Sequence, residues 1–431
     1  MAVLKIPYET TGEIGKFIEL EVPDKNLAAR YEPKEPQPIA DISQAALEAV
    51  EKPVAGEKLS GLLAPGKKVT FIVENQFRSA PSGEILPALV DKAKKAKCDV
   101  AVAVATGMVP HPGKAELEER VGKEVIEAGV PIYMNEPGNP EAYDFLGVTK
   151  AGVPLWVRSP VARADVIVTI ATTQATLWGY GGSGMILPGV CSRATVEMDH
   201  MMALTTDCAP GNNECLMQHD KYETSRIARV SMGVNFIVDN KNRPVFVNAG
   251  DFVEAHKASV RFYDEIYRFD ARNLLPDKLD VTISGTTSPT NHLFFHTSWA
   301  IVNCDPIVKN GGTIIHATPS PGYGDWPGFA LWDLMKPYMP PSKENHERVL
   351  RALYDREREL WAACIWYKIY EVMVRKNVTV VTEKKNLAHT SDIGIEAKDS
   401  VQQAFDEALK RHGPNAKVGF VPFGRYTVFT I

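Results

Sequence analysis

Two adjoining stretches decide how this chain is read: Asp165-Val-Ile-Val-Thr-Ile-Ala171, and after it Gln174-Ala-Thr-Leu-Trp-Gly-Tyr-Gly-Gly-Ser-Gly-Met-Ile-Leu-Pro-Gly189, which runs on through Val190-Cys-Ser-Arg-Ala-Thr-Val-Glu-Met-Asp-His200. The first is apolar and rich in β-branched residues, as a buried strand is. The segment up to His200 reads as a helix. A strand, a glycine-rich turn and a helix in that order make a place for an anion, because glycines let backbone N–H groups approach a phosphate and a helix N-terminus adds partial positive charge. Five glycines stand between positions 179 and 189. The pattern is neither a P-loop nor the dinucleotide fingerprint: it lacks the Lys-Ser/Thr ending of one and the spacing of the other. An ordinary surface loop is the competing reading.

Working outward toward the N-terminus, Lys68 to Val73, Val100 to Ala105 and Val130 to Met134 read as strands, with helices at Glu84 to Lys97 and Lys114 to Ala128 between them. Strands alternating with helices imply crossover connections and a mostly parallel sheet covered on both faces. In such sheets ligands gather at the carboxyl ends of strands. Three strand-following loops are therefore expected to converge: Glu74-Asn-Gln-Phe-Arg78, Thr106-Gly-Met-Val-Pro-His111 and the glycine stretch. Arg78 would supply a planar cationic fork suited to a carboxylate or phosphate, or be a plain surface arginine beside a turn. Earlier still, residues 3 to 22 read as a hairpin turning at Thr10-Thr-Gly-Glu13, Pro33 to Pro38 as an extended connection, and Ile42 to Glu51 as a helix.

Toward the C-terminus, Lys221 to Val230 reads as a helix, Val234 to Val238 and Pro244 to Val247 as paired strands, and Asp251 to Tyr267 as a long helix. Asn273-Leu-Leu-Pro276 is the expected hinge. Beyond it, the strand Leu279 to Ser284 precedes a segment from Ser288 to Trp299 that starts a helix reaching about Val308, closed by Gly311-Gly312 as a C′ glycine would close it. Then come the strand Thr313 to Ala317, a Pro/Gly/Trp-rich loop over 318 to 341, one long or broken helix from Lys343 to Arg375, the strand Thr379 to Thr382 and the helix Asp399 to Lys410. The expected architecture is α/β, with mostly parallel sheets flanked by helices in two domains, 1–272 and 276–415, and a ligand cleft between them. The β-like end, Lys417 to Ile431, is expected to return to the first domain.

A chain of 431 residues buries an ample core without crosslinks, and its six cysteines have no CxxC spacing, so neither a zinc ribbon nor a disulfide framework is implied. The net charge of −5 offers no basic stripe for a nucleic acid. No signal-peptide core or membrane-length apolar run is visible, and a soluble cytoplasmic protein is the expectation.

The layout resembles the lactate racemase family, nickel-dependent racemases and epimerases of 2-hydroxy acids that use a nickel-pincer nucleotide. The likeness rests on Ile6-Pro-Tyr8, the loop Asn75 to Pro81, Ala105-Thr-Gly107, Gly179 to Gly189, Gly250-Asp251, Gly311-Gly-Thr313 and Gly322-Tyr-Gly324. The resemblance implies that His200 ligates nickel, that Asn75, Gly181, Gly182, Ser183 and Gly184 face the nucleotide, and that Arg78 meets an anionic group. It also marks departures. The family's tethering lysine falls on Gly184, so the nucleotide would be held noncovalently; its two acid/base histidines fall on Gln174 and Val109, with His111 two residues on. The opening Asp-x-x-Arg is Asn75-x-x-Arg78, and a Gln-x-x-Lys that contacts substrate becomes His296-x-x-Trp299.

Family chemistry of this kind moves a hydride from the carbinol carbon to the cofactor and back to the opposite face, while a base takes the hydroxyl proton. His111, His292 and His296 are the histidines available for proton transfer, each also readable as structural; Gln174 and Arg78 complete the catalytic set, and Arg78, His296 and Trp299 the substrate contacts. The expected partners are a small-molecule substrate and cofactor-maturation proteins. Two functions from different classes follow: a racemase or epimerase of a hydroxy compound, or a nucleotide-binding relative without racemase activity, such as a cofactor carrier.

Overall fold

The computed structural model describes residues 1–9, 15–274 and 276–431. The chain forms two compact units. A central unit comprises Glu35–Gln174 and Trp178–Glu265; a terminal unit comprises Met1–Lys34, Ala175–Leu177 and Ile266–Ile431.

The sheet of the central unit has the order Pro244–Gly250, Met232–Val238, Val166–Thr172, Lys68–Glu74, Asp99–Ala105, Ile132–Met134. All neighbours are parallel except the edge hairpin of Met232–Val238 with Pro244–Gly250. Burial on both faces explains why these strands read as continuous apolar runs. One face packs Val69, Phe71, Val73, Val102, Val104, Val168 and Ile170 against Leu86, Leu89, Val90 and Ala93 of the helix Ser82–Lys95. Those helix positions recur at three- and four-residue steps and make a single apolar stripe. The helix expected over Lys114 to Ala128 is two, Lys114–Val121 and Lys123–Glu127, broken at Gly122 with φ +87°. A side chain there would sit 2.8 Å from the Gly83 carbonyl, so glycine is what lets the break approach the helix Ser82–Lys95.

The terminal unit carries a second six-stranded sheet, ordered Ala397–Lys398, Asn377–Val381, Val308–Ala317, Leu279–Ser284, Val418–Val421, Leu27–Arg30, and every pair in it is parallel. Two expectations change here. Residues 1–34 lie with the C-terminal residues, because Leu27–Arg30 adds to the edge of Val418–Val421, and Leu4, Ile6, Leu20 and Val22 share a core with Val281, Ile283 and Phe405. The C-terminal β segment also stays in this unit: Val418–Val421 pairs with Leu279–Ser284, and Val428–Thr430 pairs with Arg268–Asp270.

Gly311-Gly312 ends no helix. The helical segments are short, Phe294–Thr297 and Trp299–Cys304, and both glycines lie inside the strand Val308–Ala317. Gly311 has φ +74°, and the pairing with Leu279–Ser284 slips in register beside it, as at a bulge. The long C-terminal helix is broken, into Lys343–Tyr354 and Leu360–Arg375. The N-terminal hairpin pairs Ala2–Pro7 with Phe17–Val22; its expected turn at Thr10 to Glu13, like Leu275 of the expected hinge, lies outside the described residues. No helix among the described residues is long and apolar enough to cross a membrane.

Candidate functional site

The three expected loops do converge, at the carboxyl ends of adjacent strands in the central unit. Asn75 donates through Nδ2 to the Ala105 carbonyl at 3.1 Å, and Gln76 donates to the Pro110 carbonyl at 2.9 Å. The Gly107 N–H donates to the Gly189 carbonyl at 2.9 Å, which joins the second loop to the glycine stretch. Buried Asn135 clamps the same junction, donating to the carbonyls of Gly107 and Cys191 at 2.9 and 2.8 Å.

Glu74 lies beneath this meeting point. Its buried carboxylate accepts from the Thr172 N–H and hydroxyl, both at 2.8 Å, and from the Ala80 N–H at 3.2 Å, so it ties the end of Lys68–Glu74 to the end of Val166–Thr172. Burial pushes its pKa up, while these donors and the charge of Arg78 pull it back. Arg78 is half-buried, and its Nη1 donates to the Phe77 carbonyl at 2.9 Å. His111 is exposed, and its Nε2 donates to the Asn135 carbonyl at 2.7 Å. Gln174 is buried, and its backbone carbonyl accepts from the Gly181 N–H at 2.8 Å.

The glycine stretch is a folded-in turn, with Gly182 and Ser183 buried and Gly181 and Gly184 half-buried. Gly182 has φ +88°, and an added side chain would meet Thr173 Oγ1 at 3.1 Å and His256 Cδ2 at 3.3 Å. The helices Leu216–Ile227 and Phe252–Tyr267 hold this turn from below. Gln218 accepts from the Tyr180 N–H at 3.2 Å and donates to Ser183 Oγ at 2.9 Å. Lys221, buried, donates from Nζ to the carbonyls of Trp178 and Tyr180 at 3.3 and 3.2 Å. His256, also buried, donates from Nε2 to the Gly181 carbonyl and accepts at Nδ1 from the Tyr222 hydroxyl, both at 2.8 Å. Burial lowers the His256 pKa to about 4 and keeps the ring neutral, which fixes this tautomer.

His200 follows directly on the helix Arg193–Asp199, as the sequence led us to expect. It is 5 % exposed; its ring meets the Trp178 ring edge-on at 5.5 Å, and its Nδ1 lies 3.1 Å from Oδ2 of fully buried Asp199. Neither Asp199 oxygen nor His200 Nδ1 makes a well-formed hydrogen bond among the described residues, so buried polar capacity is concentrated on this one imidazole. Ser192 caps that helix by accepting from the Thr195 N–H, which helps to fix where His200 emerges.

In the terminal unit, His296 and Trp299 stand three residues apart in consecutive helical turns, both buried, with ring centroids 6.3 Å apart. His292 is half-buried, and its ring meets Tyr323 edge-on.

Residues 15–210 match the family model described as the lactate racemase N-terminal domain. The span takes in the three converging loops, the glycine turn and His200, but not the two supporting helices. The resemblance read from the sequence extends along the whole chain: lactate racemase of Lactiplantibacillus plantarum is 22 % identical over 98 % of this chain and 99 % of its own. The structure of the lactate racemase apoprotein from Thermoanaerobacterium thermosaccharolyticum superposes over 100 % of both chains, with a TM-score of 0.85 at 19 % identity. A protein from Thermotoga maritima shares the fold at a TM-score of 0.70 and 15 % identity, over 93 % of this chain and all of its own.

The residues at this junction fit a nickel-bearing nucleotide only in part. His200 fits: a carboxylate on the Nδ1 side would leave Nε2 for a metal, the arrangement in which an outer carboxylate orients a ligating imidazole. No cluster of three or more His, Cys, Asp or Glu suited to a metal occurs among the described residues, so the nucleotide itself would have to supply the metal's other donors. A covalent tether does not fit, since Gly184 has no side chain and Lys221 directs its amine at two carbonyls of the turn. Sequence reading passed over Glu74, Asn135, Gln218, Lys221 and His256. Only Glu74 carried a signal: a carboxylate closing an apolar strand.

Proposed function

We propose that the protein is a racemase or epimerase of a 2-hydroxy acid or a related hydroxy compound, and that it works with a noncovalently held nickel-pincer nucleotide. One observation carries this reading: His200 keeps the family's metal-ligand position in sequence and is a buried imidazole with a carboxylate on its Nδ1 side. His200 would ligate nickel, and the turn of Gly181, Gly182, Ser183 and Gly184, with Asn75, would hold the nucleotide. Bound there, the group would supply a hydride acceptor for the substrate's carbinol carbon.

Proton transfer falls to this chain's own residues. His111, whose Nε2 donates to the Asn135 carbonyl, is one candidate to take the hydroxyl proton. His296 is the second titratable candidate. Gln174, an amide, can orient a hydroxyl but cannot take its proton. Arg78 would bind an anionic group, and His296 and Trp299 are the further residues we assign to substrate contact.

The test is to purify the protein from a host that makes the pincer nucleotide, then to measure nickel content, intact mass after denaturation and racemisation of a panel of 2-hydroxy acids. We expect stoichiometric nickel, an unmodified polypeptide mass and nickel loss in His200→Ala. A nucleotide adduct on the denatured chain would refute noncovalent holding. Full nickel in His200→Ala would refute the ligand assignment. Bound nickel and nucleotide with no turnover across the panel would favour a cofactor-binding relative instead.

A further inference from the structure

Two of the six cysteines, all of them buried, are neighbours in space. Cys208 and Cys215 stand at the two ends of the loop Ala209 to Glu214, and their thiols are in hydrogen-bonding contact. The residues just outside the pair are tied together, since the Leu216 N–H donates to the Asp207 carboxylate at 3.1 Å. The loop is also ordered from within: Asn212 donates through Nδ2 to the Asp207 carbonyl at 2.8 Å, and its Oδ1 accepts from the Glu214 N–H at 3.0 Å. The fold has therefore met the entropic cost of closing this loop before any bond joins the sulfurs. The cover is thin, because Asp207, Glu214 and Leu216, each next to one of the cysteines, are exposed. Local opening of such a loop admits a small oxidant.

The two thiols are not equivalent. The proton held on Cys208, the Gln218 N–H and the charge of Lys221 favour the Cys215 thiolate against its burial and lower its pKa, while the same sharing pushes that of Cys208 up. Burial alone pushes the thiols of Cys191 and Cys304 up. A thiolate beside a thiol is the arrangement in which one sulfur attacks an oxidant and the other resolves the product. We propose that Cys208 and Cys215 are a redox couple, a dithiol that a hydroperoxide converts into an intrachain disulfide. The Cys215 thiolate attacks one peroxide oxygen, the O–O bond breaks, and the departing hydroxide takes a proton and leaves as water, with Cys215 now a sulfenic acid. Cys208 attacks that sulfur, its proton passes to the departing hydroxyl, and a second water leaves. The two sulfurs give up two electrons and the peroxide oxygens take them. The new bond closes the loop that pairs with the start of the glycine turn, where the Gly179 N–H donates to the Ala209 carbonyl at 3.0 Å and the Gly211 N–H to the Gly179 carbonyl at 3.3 Å.

The experiment treats the reduced full-length protein with hydrogen peroxide under native conditions and reads free thiols, intact mass and the position of any new bond after cleavage at Glu214. We expect the wild-type protein to lose two of its six thiols and the mass of two hydrogens, with the bond joining Cys208 to Cys215 and dithiothreitol restoring both thiols. Cys208→Ser should stop at the Cys215 sulfenic acid, which a cyclic 1,3-dione captures as an adduct; Cys215→Ser should give neither disulfide nor adduct. If a serine variant does not fold, the wild-type map decides alone, since it needs no substitution. Wild-type protein that keeps all six thiols at a peroxide concentration sufficient to oxidise free cysteine, a disulfide between any other pair, or thiol loss spread over the six cysteines overturns the proposal. A dione adduct on Cys208 in Cys215→Ser overturns the order of attack. The couple needs neither nickel nor substrate, so the racemase reading can fail in its own assays while this result stands, and the reverse.

Discussion

Replacing Lys221 by Met tests whether the glycine turn is held in place from beneath. Methionine keeps the length and apolar bulk of the stem and removes only the amine. Two carbonyls, those of Trp178 and Tyr180, then lose their donor. At a net value of about 1 kcal/mol per hydrogen bond, the expected cost is about 2 kcal/mol. For a unit of this size that corresponds to a fall in Tm of roughly 4–8 °C. The cost depends on pH. Burial lowers the Lys221 pKa, against the pull of Cys215, Asp199 and Cys208. The unfolded chain therefore binds more protons than the folded one between the lowered pKa and the ordinary lysine value of about 10.4. Stability from this amine is complete above that upper limit and is lost as pH falls through the folded value. The gap between wild type and Lys221→Met should therefore widen from pH 7 to pH 10, read by urea unfolding at each pH, with amide exchange of residues 178–184 as the local readout. Equal stability at pH 9, or a gap that narrows as pH rises, would refute the argument.

Other consequences follow from the same region. His256 has its folded pKa lowered to about 4 from 6.5, so its contribution is present above pH 6.5 and lost as pH falls through 4; wild type should lose about 3 kcal/mol more than His256→Gln between pH 7 and pH 4, measured by urea midpoints. Gly182→Ala forces a side chain into φ +88° against Thr173 and His256 and should cost about 1–3 kcal/mol in thermal unfolding, whereas a neutral result would mean that the turn relaxes freely. Arg78→Lys keeps the charge but loses the planar fork, so binding of the hydroxy-acid carboxylate should weaken; unchanged affinity by calorimetry would remove Arg78 from the site.

What could be read in the sequence was what neighbouring residues decide. The β-branched runs at 68–73, 100–105 and 166–171 had to be buried strands, and placing their loops at one end of one sheet needed only the rule for parallel α/β sheets. Misreadings came where distant segments decide. Gly311-Gly312 looked like a helix end because a C′ glycine and a bulge glycine both need left-handed backbone; only the pairing with Leu279–Ser284 separates them. The place of residues 1–34 depends on a strand pairing nearly 400 residues away in sequence, which no local pattern records. Lys221 and His256 were invisible for the same reason: each acts on backbone carbonyls that its own sequence neighbourhood does not contain.

The two central glycines of the turn also differ in what they demand. Gly182 is required by the backbone, because its φ is left-handed and its Cβ position is crowded. Gly184 is not. Its φ lies outside the left-handed range, and a side chain there would meet only the Leu187 carbonyl at 3.3 Å and Pro188 Cδ at 3.4 Å, contacts that a few tenths of an ångström relieve. The backbone at 184 therefore does not demand glycine by its φ, and a Cβ there would need only a small adjustment of the Leu187 carbonyl. Lys221 shows what the chain does with a buried amine instead: Nζ is directed at the carbonyls of Trp178 and Tyr180, so two of its donors stabilise the backbone of the turn. On the proposed reading, affinity for the nucleotide must then come from backbone N–H groups of the turn and from the His200 imidazole. Both depend on rigidity, since a noncovalent site loses affinity with every degree of freedom it has to freeze on binding. The buried supports from Gln218, Lys221 and His256 act on that term: they order the turn before any ligand arrives.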